Sequence, residues 1–83
     1  MEKAIALRYD ETLPAPLVVA KGSAHVAERI QRVAEDAGVR IVADPALAES
    51  LVFLDIGDLI PEDLYGAVAE ILAFVLRAEG RAR

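Results

Sequence analysis

A chain of 83 residues has room for one domain, expected to span residues 1–83. With 55% apolar residues it is too hydrophobic for a disordered chain, and the absence of cysteine excludes disulfides and thiolate metal sites. A net charge of −5 and a pI near 4.7 set it against phosphate backbones and anionic lipid heads, so neither nucleic acid nor membrane is an expected partner.

The first fifteen residues carry Glu2, Lys3, Arg8, Asp10 and Glu11 where a secretory signal would need an apolar run. Lys3 to Tyr9 alternates Ile5, Leu7 and Tyr9 against Ala4, Ala6 and Arg8, the period of a strand. Asp10 to Pro16, with two prolines, reads as a loop, and Leu17 to Ala20 as a second, β-branched strand. Gly22-Ser23 then opens a helix, with Ser23 placed to cap it. From Ala24 to Ala37 the positions Val26, Ile30, Val33, Ala34 and Ala37 recur on one helix face. The opposite face is charged, with Glu28 and Arg32 one turn apart. Gly38 supplies the left-handed residue that stops the helix.

Val39 to Ala43 reads as a third strand. Asp44-Pro45 is a cap followed by a proline in the first turn of a short helix that would pack Leu47, Leu51 and Leu54. Pro61-Glu62-Asp63 starts the last helix, with acids where the dipole favours them. The expected order is β-β-α-β-α-α: an α/β domain with a small mixed three-stranded sheet packed with helices. The passage from Leu17 to Ala43 would be a right-handed crossover.

The last helix is unusually apolar. One stripe is Leu64, Val68, Ile71 and Val75; a second is Tyr65, Ala69, Leu72 and Leu76. Such a helix is either sunk into the fold or offers one stripe to a partner or a second copy. From Leu64 to Leu76 it is too short, and carries Glu70, for a membrane span. Arg77, Arg81 and Arg83 suit a helix C-terminus.

Catalytic chemistry has little to work with. His25 is the single histidine and falls on the polar side of its helix. Thr12, Ser23 and Ser50 lie in no nucleophile motif, and Lys21-Gly22-Ser23 lacks the order of a phosphate loop. Glu62-Asp63 reads as a helix start and not as an acid/base pair. No enzyme activity, no metal and no cofactor are expected.

Three segments carry a resemblance. Ala4-Ile5-Ala6-Leu7-Arg8-Tyr9-Asp10, Ala15-Pro16-Leu17-Val18-Val19-Ala20-Lys21-Gly22, and the run from Asp44-Pro45 through Ile60-Pro61-Glu62-Asp63 to Ala73 resemble the FlhB/YscU family of type III export proteins. The likeness is to the cytoplasmic domain and covers almost the whole chain. Family members also carry transmembrane helices and an Asn-Pro-Thr-His loop that cleaves itself. This sequence has no asparagine and starts where that loop would end, so it resembles the fragment released by cleavage. The resemblance implies a cytoplasmic protein, at the periphery of the inner-membrane export gate. It implies a role in export-substrate recognition and specificity switching, with export gate components or export substrates as partners. It further implies a protein-binding pocket built from Ala15, Pro16, Ala69 and Leu72, the last two on the helix stripe found by periodicity. The family's domain pairs this first strand with one lying before the cleavage loop, so Lys3–Tyr9 is expected to offer an open edge. Homo-oligomers through that edge or through the last helix are the competing expectation, for a structural domain that has left secretion.

Overall fold

Alternation of Ile5 and Leu7 with small residues makes Lys3–Arg8 a strand, β1, and it pairs antiparallel with β2, Leu17–Ser23. The computed structural model describes the backbone of residues 2–81 and the side chains of residues 2–75. Pairing runs from Lys3 opposite Ser23 to Arg8 opposite Leu17, and slips between Ala6 and Leu7, where Val19 is the extra residue of a bulge. β2 is longer than its apolar run predicts, because Lys21, Gly22 and Ser23 continue the ladder.

Three helices accompany this ribbon among the described residues. α1 (His25–Asp36) packs on both strands with Ala27 fully buried. α2 (Pro45–Leu51) packs on β1, and α3 (Tyr65–Arg81) follows a single 3₁₀ turn at Glu62–Leu64. The main core joins Ala15, Leu47, Leu51, Ile60 and Val68, with Ile5, Leu7, Leu54, Leu64, Ile71 and Leu72 packed around them. The leucines of α2 are therefore where their spacing places them.

The stops and starts follow local chemistry with one exception. Asp44 accepts a hydrogen bond from the Leu47 N–H at 3.1 Å, ahead of Pro45 in the first turn. Gly38, at φ +74°, closes α1: its N–H donates to the Glu35 carbonyl, and that of Val39 to the Ala34 carbonyl. At the other end of α1 the expected Ser23 cap is absent. Ser23 belongs to β2, and Ala24 takes the cap position at φ 54°, ψ −124° with no side-chain cap. Strand pairing to Lys3 holds Ser23 in the ladder, so the turn into α1 falls one residue later. The first turn after Pro61 is 3₁₀, and the acids Glu62 and Asp63 lie in it.

Further expectations are corrected. Val39–Ala43 is not a strand; among the described residues the sheet has two strands, and the crossover and mixed pairing lapse with the third. Residues 40–43 make no backbone hydrogen bond among the described residues, and Val39, Ile41 and Val42 are exposed. The physical reason is want of a partner. β1 pairs only with β2, and the far edge of β2 is met by residues 57–60, through Val18 N–H to the Asp58 carbonyl, Gly57 N–H to the Val18 carbonyl and a bridge between Leu17 and Leu59.

The apolar stripe of α1 is another correction. Ile30 and Ala34 are half-buried, but Val26, Val33 and Ala37 are exposed. A two-stranded ribbon is narrower than the stripe and leaves its flanks uncovered. Nor does Glu28 pair with Arg32 among the described ion pairs; its carboxylate lies 3.4 Å from His25 Nδ1. The side chains of Leu76, Arg77, Arg81 and Arg83 lie outside the described residues.

Candidate functional site: an apolar cavity between the proline loop and α3

The loop after β1 is shaped by Asp10. Its carboxylate accepts hydrogen bonds from the Thr12 hydroxyl and, at 2.8 Å, from the Thr12 N–H, while Arg8 donates to it at 3.2 Å. The two Thr12 bonds, with a smaller contribution from Arg8, hold the Asp10 carboxyl below its ordinary pKa. The turn, closed by Leu13 N–H to the Asp10 carbonyl, sends Pro14, Ala15 and Pro16 back toward the sheet. There the Pro16 carbonyl accepts from the Ile60 N–H at 2.9 Å. The loop and the segment leading into α3 are thus tied together.

Between them and α3 lies a cavity of about 380 Å³. All four residues singled out from the sequence line it: Ala15 and Pro16 from the loop, Ala69 and Leu72 from α3. Ala15 and Pro16 are buried, Leu72 half-buried and Ala69 exposed at the mouth. Tyr65, Ala69 and Leu72 of the second stripe therefore face this hollow, while Val68 of the first stripe, 1% exposed, forms part of its floor. The choice posed by that apolar helix resolves as a division: one stripe packs inward and the other lines a cavity.

Sequence reasoning did not name Tyr9, Pro14, Ile60, Tyr65, Val68 and Ala73 as lining residues. Two were within reach. Ala73 stands one turn beyond Ala69, and Tyr65 one turn before it on the same stripe. Tyr9 and Ile60 arrive only through chain reversal and strand-edge pairing.

The hollow exists because Ala15, Ala69 and Ala73 are small. Among the described residues no charged side chain lines it, so an ion entering would lose its hydration without compensation. The polar residues weighed for chemistry lie elsewhere. His25 is fully solvated, Ser50 donates to the Ala46 carbonyl, and Lys21 donates to the Val52 carbonyl at 3.2 Å with Asp55 at 4.0 Å. Among the described residues no helix is long and apolar enough to cross a membrane.

Fold and cavity together define a small α/β domain with an apolar hollow that, among the described residues, no charged side chain lines. Residues 1–75 match the family described as FlhB HrpN YscU SpaS, and the chain belongs to that family. It is 45% identical over 80 residues to YlqH of Bacillus subtilis (strain 168), covering 95% of this chain and 86% of that one. It is 47% identical over 78 residues to the flagellar biosynthetic protein FlhB of Buchnera aphidicola subsp. Schizaphis graminum, covering 92% of this chain but 20% of FlhB. The chain thus spans about a fifth of that relative. The crystal structure of the cytoplasmic domain of FlhB from Shewanella putrefaciens matches with a TM-score of 0.85 at 39% identity, over 89% of this chain and 61% of that one.

Proposed function

We propose that the chain is a non-catalytic binding module of the flagellar or type III export apparatus. It docks export gate components or export substrates in the cavity formed by Ala15, Pro16, Ala69 and Leu72. The observation that carries this reading is convergence. Residues chosen from family likeness and from helix periodicity line one apolar hollow, in a chain of the FlhB family. Like the autocleaved C-terminal part of FlhB that the sequence resembles, it would take part in substrate recognition and specificity switching. It would work in the cytoplasm beside the inner-membrane gate, with no cofactor.

The test is a pull-down of purified gate cytoplasmic domains and early export substrates by wild type, Leu72→Asp and Ala69→Glu. Enrichment by wild type that both variants lose supports the reading. No enrichment by wild type, with unchanged motility on deletion, overturns it. Ala69 is exposed, so its variant is expected to fold even if Leu72→Asp does not.

A second reading rests on a different region. Among the described residues the outer edge of β1 carries no strand, and Val33, Val39, Ile41 and Val42 are exposed, which suits self-association by a structural domain without a secretion role. Light scattering decides it: a dimer that persists in Ala69→Glu favours self-association through this region, whereas a wild-type monomer rules it out.

A further inference from the structure

We infer that two copies of the chain associate through α1, with the two helices side by side and antiparallel. The inference deepens the self-association reading above and rests on it, narrowing that region to one helix. No residue of α1 lines the cavity, so the association leaves the cavity open.

The pattern of α1 carries it. Val26, Ile30 and Val33, with Ala37 at the C-terminus, recur at i, i+4, i+7 and i+11, the alternating spacing of a helix–helix seam. The fold uses only part of that seam. Ala27, Ile30 and Ala34 turn toward the ribbon, whereas Val26 is 51% and Val33 66% exposed, and Ala37 is exposed beside them. Valines held in water along one strip gain by burial against a second such strip.

The charges beside the seam identify that second strip. Arg29 and Asp36 stand two helical turns apart on the same flank. Both are exposed, and neither joins a salt bridge among the described residues. In an antiparallel pair related by a twofold axis, the start of one helix lies beside the end of the other. Val26 then meets Ala37 of the second copy, Ile30 meets Val33, and Arg29 of each copy meets Asp36 of the other. A parallel pair would set the two arginines at one level and the two aspartates at another, with no opposite charge in reach. The helix is thus its own complement in one orientation only. The outer edge of β1 offers no such recognition, because Lys3 and Arg8 are already paired with Glu49 and Asp10. A 12-residue helix makes a small interface, which sets the dissociation constant between about 10 µM and 1 mM.

The experiment is sedimentation equilibrium of the full chain up to about 2 mM, above that range. Wild type is expected to dimerise. Arg29→Asp and Asp36→Arg each set like charges together at both contacts and should weaken the dimer at least about tenfold. An equimolar mixture of the two variants restores opposite charges at both contacts and should dimerise near wild-type strength. All three sites tested are exposed, so circular dichroism of each variant should match wild type; Val33→Ser, at the middle of the seam, should weaken the dimer by a similar factor. A wild type that stays monomeric overturns both this inference and the self-association reading. A wild-type dimer that either charge variant retains, or that the mixture does not regain, overturns the pairing through α1 and leaves self-association at another surface.

Discussion

β2 and the segment Val39–Ala43 are close in composition yet end in different states. Each centres on β-branched residues, Val18-Val19 in one and Ile41-Val42 in the other. β2 is paired with β1 along one edge and met by residues 57–60 on the other, and Val18 is fully buried. Val39–Ala43 is solvated, and among the described residues its one backbone bond is from the Val39 N–H to the end of α1, with none from 40–43. β-propensity measures how well a side chain suits a pleated, half-buried surface; it does not supply the neighbour. A strand is a property of two segments.

The largest effect that would break this contrast is a charge placed at each centre. Val18→Asp should cost about 4 kcal/mol or more and leave little folded protein, because a carboxylate would be buried without a partner. Ile41→Asp should change stability by no more than about 0.5 kcal/mol, since its side chain is already in water. Urea midpoints of the two variants check this, and equal losses would mean that Val39–Ala43 is packed after all.

The end of β2 offers the next test. A Cβ on Gly22 would fall 2.1 Å from Val26 Cγ1 and 2.7 Å from Val26 Cβ, which cannot be relieved by rotating a long side chain. Gly22→Ala is expected to cost about 1–3 kcal/mol by forcing α1 away from the strand. Thermal melts read it, and a neutral result would show that α1 is loosely seated. Two residues on, the sign reverses. Ala24 sits at φ 54°, ψ −124°, a conformation open to glycine and strained for alanine, so Ala24→Gly should raise stability by about 1 kcal/mol.

The smallest effect is at the turn that joins the paired strands. The Asp10 carboxyl titrates below its ordinary value because the Thr12 hydroxyl and N–H, then Arg8, favour its charged form. A depressed folded-state pKa means its contribution is present above the unfolded carboxylate value and is lost as pH falls through the folded one. Asp10→Asn should therefore flatten the stability profile below about pH 4 and leave its slope at neutral pH unchanged. An identical acid limb in both proteins would show that the turn contributes nothing to folding.

What could be read before the structure was local. Asp44-Pro45 and Gly38 mark helix boundaries because their chemistry acts on neighbouring amides, and those boundaries stand. Ser23 was misplaced because strand pairing with Lys3 outweighs its capping tendency. In α1, periodicity identified an apolar stripe but not how much surface there was to cover it, so Val26 and Val33 are exposed.

The candidate site divides in the same way. Sequence alone determined the family likeness, the small residues Ala15 and Ala69, and the second stripe of α3, because these depend on residue identity and the 3.6-residue period. Tertiary structure alone decided that the proline loop lies against that stripe, and that Tyr9 and Ile60 join it. It also decided that Val39–Ala43 remains unpaired. Those facts rest on contacts between segments far apart in the chain, and no local pattern specifies which distant segment will be there to meet it.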